Sequence, residues 1–87
     1  MSIKYIRRSD YEATILDDEV IILNTDNYTI TKVNEVGGFC WELLHESLTI
    51  NNIIDALQTK YYQDQTEEDV ESFLSVMMEC GLVKHAD

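Results

Sequence analysis

Two histidines, two cysteines and seventeen carboxylates are the groups of this 87-residue chain that could take part in chemistry. Catalysis needs a nucleophile beside an activating partner, a metal cage, or an acid and a base held in opposition. His45 falls at the end of a helical pattern, where the C-terminal dipole accounts for it, and His85 stands close to the last residue. Cys40 and Cys80 lie far apart within helical patterns, with neither a CxxC pair nor a Cys/His cluster, so both read as reduced, buried thiols. Asp64, Glu67, Glu68, Asp69 and Glu71 form a dense acidic group. They lack the alternating spacing and turning glycine of a calcium loop, and read as a solvated face. The three glycines make no phosphate-cradling loop. The expectation is a protein with no catalytic residue, no metal and no cofactor.

Charge narrows the partners. Seventeen acids against six bases give a net charge of −11, which opposes binding to nucleic acid or an anionic membrane, since both require neutralising fixed negative charge. A helix-turn-helix reader would carry Arg, Lys, Asn or Gln on its recognition helix. The third helical pattern has no basic residue from Thr66 to Cys80, so a DNA-binding regulator is the weaker alternative. The longest purely apolar run is Val20-Ile21-Ile22-Leu23, and the amino end from Met1 to Arg8 has no stretch long enough for a signal peptide. A cytoplasmic protein is expected. Residues 1–87 are read as one domain with an ordered core over about 10–84. Ordering such a chain costs roughly 130 kcal/mol at about 1.5 kcal/mol per residue, and a composition that is 45% hydrophobic can supply the core that offsets it.

The elements that would position a site follow from the periodicities. Tyr11–Leu16 alternates and is rich in strand formers, Glu19–Asn24 carries the aliphatic run of a central strand, and Tyr28–Val33 is β-branched and aromatic. Asp17-Asp18 and Thr25-Asp26-Asn27 are turn signals between them. The period then changes: Val36, Phe39, Cys40, Leu43 and Leu44 define one helical face, and Gly37-Gly38 suggests a close approach of that helix to the sheet. A second helix starts at the N-cap Thr49, and a third at Thr66, whose following acids suit the dipole, ending at Gly81. The predicted fold is α+β and winged-helix-like: a three-stranded antiparallel meander followed by three helices.

An edge strand offers unpaired N–H and C=O groups to which an extended peptide can add as a further strand. The third strand is the candidate edge. Lys32 is a typical edge-protecting residue, but Tyr28, Thr29, Ile30, Thr31 and Val33 leave it largely unguarded. The third helix, packed beside it, would wall a groove with Val70, Phe73, Leu74 and Met77, although most of such a stripe must be core. The same edge could instead serve self-association, as a weak or domain-swapped dimer.

The sequence resembles the PqqD-like family, the leader-recognition elements of ribosomally made, post-translationally modified peptides (RiPPs). The resemblance runs from about Tyr11 to Val83 and rests on Asn34-Glu35-Val36-Gly37, then Trp41-Glu42-Leu43-Leu44, then Thr49-Ile50, Ile53-Ile54, Leu57 and Tyr61. Asp69-Val70, Phe73-Leu74 and Gly81-Leu82-Val83 continue it. The resemblance implies a winged helix-turn-helix-like, non-catalytic peptide chaperone. A precursor's leader would add antiparallel to the third strand, Tyr28 to Val33, and pack on Asp69, Val70, Phe73, Leu74 and Met77. Asp69 and its acidic neighbours would meet a Lys or Arg of the leader. The implied partners are that leader and a modifying enzyme or leader peptidase, a lasso peptide peptidase first and a radical SAM enzyme second. The sequence departs from the family pattern at Asp26-Asn27, where glycine is common, and at Ile30-Thr31, where paired aromatics are common.

Overall fold

Alternating strand formers, then apolar residues at helical spacing, produce the expected α+β order in the computed structural model, which describes residues 3–61 and 66–86. In chain order the elements are β1 (Lys4–Arg7), β2 (Ala13–Leu16), β3 (Glu19–Asn24), β4 (Thr29–Asn34), α1 (Glu35–Leu43), β5 (Leu48–Thr49), α2 (Ile50–Tyr61), α3 (Glu67–Glu79) and β6 (Val83–Ala86). The strands β2, β3 and β4 form the antiparallel meander read from the sequence, with β3 central. Val20, Ile22 and Asn24 turn toward the helices and are buried, while Ile21 and Leu23 lie half-buried on the other face. Asp17 closes the first hairpin in the left-handed region (φ 55°), which Asp tolerates better than most residues.

A second sheet, in the order β5-β1-β6, corrects the expectation of a single sheet followed by helices. Tyr5 pairs with His85 and Arg7 with Val83, so strands near the two ends of the chain lie side by side. The ordered structure therefore extends outside the anticipated 10–84 limits. His85 is held in a strand, its ring edge-on to Tyr5 at 5.1 Å between centroids. β1 carries no local signal: it is only Lys4-Tyr5-Ile6-Arg7, with Tyr5 its one buried residue. Its pairing is dictated by a partner almost the whole chain away.

The helix ends follow their capping residues. Asn34 Oδ1 accepts from the Gly37 N–H at 2.7 Å and starts α1. Thr49 and Asn52 exchange side-chain to backbone bonds, each 3.1 Å, at the start of α2. Thr66 Oγ1 accepts from the Asp69 N–H at 3.0 Å, with Glu67, Glu68 and Asp69 in the first turn of α3. The helix closes on Gly81 at φ +75°; the Leu82 N–H reaches Met77 C=O and the Gly81 N–H reaches Met78 C=O, both at 3.0 Å, the paired bonds of a Schellman motif. Trp41, Ile22, Leu44, Ile53, Leu57, Leu74, Met77 and Leu82 are the fully buried centre. Trp41 sits beneath the Arg7 guanidinium, 4.6 Å from its ring centroid, so its role is packing. Cys40 is buried and unbonded, and burial pushes its thiol up to about 11, which keeps it protonated and unreactive.

The glycine pair has the close-approach role expected of it. A Cβ on Gly38 would lie 2.4 Å from Val20 Cγ2, so α1 can lie on β3 only without a side chain there. Gly38→Ala gains about 1 kcal/mol of helix propensity but forces a buried strand and helix apart, which costs about 1 to 3 kcal/mol. The expected result is a net loss of stability in urea unfolding, against the usual sign for Gly→Ala in a helix.

Candidate functional site

The main chain of β4 determines what its open side can do. In an antiparallel ladder, opposed residues alternate between exchanging both hydrogen bonds and exchanging none. The Leu23 N–H donates to Glu12 C=O at 2.9 Å, so Leu23, Ile21 and Glu19 direct their backbone groups to β2. Val20, Ile22 and Asn24 therefore direct theirs to β4, where they oppose Val33, Thr31 and Thr29. It follows that Thr29, Thr31 and Val33 are bonded to β3, and that Ile30 and Lys32 point N–H and C=O outward. No further strand pairs with β4 among the described residues. Side chains obey the opposite assignment: Thr29, Thr31 and Val33 share the face of the helices, while Ile30 (70% exposed) and Lys32 lie on the outer face. Lys32 Nζ is 3.6 Å from Glu19 Oε2 in an exposed pair, worth little and easily rearranged. Tyr28 is 91% exposed and stands before the strand at φ 57°, an uncommon conformation for a bulky residue.

The helix α3 is tied beside this edge at two points. At the far end of β4, a Cβ on Gly37 would lie 3.0 Å from Val33 Cβ and 3.1 Å from the Phe73 ring; glycine lets the ring close against the strand end. At the hairpin end, buried Asn24 donates through Nδ2 to Gly81 C=O at 3.2 Å and Cys80 C=O at 3.4 Å. Its Oδ1 accepts from the Asp26 N–H at 2.9 Å and the Asn27 N–H at 3.4 Å. One side chain thus binds the β3–β4 turn to the end of α3, and the helix runs antiparallel alongside β4.

The stripe of α3 turned to the strand is Asp69, Phe73, Val76 and Cys80, spaced at i, i+4, i+7 and i+11. Asp69 is exposed, Phe73 half-buried, and Val76 is 55% exposed. Val70, Leu74 and Met77, expected as part of the wall, are 4%, 1% and 0% exposed and belong to the core. Of these, Val70 keeps a surface on a hollow of about 150 Å³ that it shares with Asn34, Gly37, Asp69 and Phe73. That volume lies well below the roughly 300 to 1,000 Å³ of small-molecule sites and suits a single side chain. Val76 was not anticipated as a site residue; its signal was an apolar side chain on the solvent edge of an otherwise acidic helix surface. Asp64 lies outside the described residues. Among the described residues no group of three His, Cys, Asp or Glu could hold a metal ion, and no helix is long and apolar enough to cross a membrane.

Residues 19–83 match the family described as "Coenzyme PQQ synthesis protein D (PqqD)". Among solved structures, the chain is similar to "TbiB1 in Complex with the TbiA(beta) Leader Peptide", with 31% identity, a TM-score of 0.71 and coverage of 100% of both chains. No curated protein sequence matches it significantly.

Proposed function

The chain belongs to the PqqD family, and from that membership and the geometry of its open edge we propose that it binds the leader segment of a ribosomal precursor peptide by strand addition to β4. The observation that carries this reading is the outward row of main-chain groups at Ile30 and Lys32 with α3 fixed alongside. The likeness to a protein solved with a leader peptide supports it.

An antiparallel leader strand pairs its backbone with Ile30 and Lys32. Its side chains opposite Thr29, Thr31 and Val33 then face α3, where Val76 and Phe73 receive apolar groups and the hollow beside Asp69 takes one anchor. Asp69, with Glu68 near it, favours a Lys or Arg at that end of the leader. About four to six backbone hydrogen bonds at roughly 0.5 to 1.5 kcal/mol each, and one or two anchors at about 1.5 to 3 kcal/mol, oppose an ordering cost of about 2 to 5 kcal/mol or more. The balance corresponds to an affinity between micromolar and tens of nanomolar. The domain performs no chemistry in this reading; it holds the precursor for a modifying enzyme or leader peptidase.

Ile30→Asp tests the edge with little risk to the fold, because the side chain is exposed on the outer face. It removes an apolar cross-strand partner and sets a charge beside the incoming strand, an effect on the order of 1 kcal/mol. Fluorescence anisotropy with the cognate leader should show affinity about fivefold weaker. Unchanged affinity in a folded variant would place the peptide elsewhere.

A further inference from the structure

The meander has a second open edge. By the same alternation Ala13 and Ile15 of β2 point their N–H and C=O away from β3, and no strand pairs with them among the described residues. Ile15 opposes Val20, so its side chain lies on the face of the helices, yet it is 75% exposed. The cause is that α1 lies on β3, drawn in by Gly38, and leaves β2 overhanging. Beneath the overhang is a hollow of about 460 Å³ with a floor of Ile15, Val20, Phe39 and Tyr61. The Phe39 and Tyr61 rings meet edge to face at 5.6 Å.

The rim identifies the occupant. Asp17, Asp18, Glu35 and Glu42 border the hollow, against the single base Lys60; Glu19 also borders it, but its carboxylate turns to the outer face toward Lys32. Glu42 has only a long contact, 3.9 Å, with the largely buried Arg7. Asp17, Asp18 and Glu35 have no ion-pair partner among the described residues. We infer that the β2 edge and this hollow dock an extended basic segment of a partner protein, which adds as a strand beside Ala13 and Ile15, seats one apolar side chain on Phe39 and Tyr61, and places Lys or Arg against the carboxylate rim. A second copy of the chain is the poorer occupant, because two molecules of net charge −11 repel. Strands added at β2 and at β4 would lie about 19 Å apart, four strand spacings, so both edges can be filled at once. The inference does not depend on leader binding at β4.

The test is an amide NMR titration of the whole chain with two capped synthetic peptides, the basic KVKIRVK and the acidic EVEIEVE. The basic peptide should give saturable shifts at Ala13, Ile15, Asp17 and Phe39 that weaken with salt, with Ile30 and Lys32 unmoved. Ile15→Lys, at an exposed position, should weaken binding at least tenfold. Asp17→Asn with Asp18→Asn should weaken it and flatten its salt dependence; Asn tolerates the backbone of residue 17. Absence of shifts to millimolar peptide, equal shifts with the acidic peptide, or shifts confined to the β4 edge would each overturn the inference. So would a peptide-free dimer, seen by light scattering and abolished by Ile15→Lys, which would make a second copy the occupant. A chain that fails to bind leader at β4 while responding at β2 would separate the two conclusions.

Discussion

Lys32→Pro is expected to remove most of the leader affinity of this protein while leaving its fold intact. The N–H of Lys32 points to the open side of β4, so proline there costs no bond to β3, and proline is tolerated in edge strands when its nitrogen faces solvent. The preceding Thr31 is already extended, as the residue before proline must be. For an incoming strand the change removes a donor, leaves a leader carbonyl unpaired and adds a ring in its path. The combined effect is about 2 to 4 kcal/mol, or about 30- to 700-fold in affinity. Thr31→Pro, one residue away, should behave oppositely: it deletes a bond within the sheet and lowers stability directly. Calorimetric titration of the leader into both variants, with thermal melts of each, checks the pair. Wild-type affinity for a folded Lys32→Pro chain would exclude strand addition at β4.

Asn24→Ala carries the largest expected loss of stability. Asn24 is 3% exposed and its amide satisfies two backbone donors in the hairpin turn and two carbonyls at the end of α3. Alanine leaves those groups without partners in a site poorly open to water. Such losses cost about 2 to 4 kcal/mol in all, equivalent to about 10 to 25 °C in Tm for a domain of this size. Because the same amide fixes α3 beside β4, leader affinity should fall too, even at temperatures where the variant is folded. A shift in Tm of less than about 3 °C would show that the Schellman closure at Gly81 holds the helix end without help.

Much of this arrangement was legible in the residues. The meander, the three helices, the caps at Thr49 and Thr66 and the close approach at Gly38 all leave local marks, because alternation, capping and glycine act over a few positions. The sheet of β1, β5 and β6 leaves almost none: its strands are short and half-polar, and β1 pairs with β5 about half the chain away and with β6 across nearly all of it. Asn24 was equally silent, since an Asn before a turn looks the same whether or not its amide reaches a helix that begins more than forty positions later. The α3 wall was read from an apolar stripe that sequence alone divides imperfectly between interior and groove. Helix periodicity groups Val70, Phe73, Leu74 and Met77 together; only the placement of α3 against two elements at once separates Phe73 and Val76 from the rest.

The pairing of Lys4 with Ala86 has a practical corollary. The backbone enters the fold at Lys4 beside the point where it leaves at Ala86, so a tag or a tethered enzyme joined on either side departs by nearly the same exit. A linker of a few residues would close the backbone into a ring, which could then be cut afresh at a surface turn to give a rearranged chain with the same three-dimensional plan.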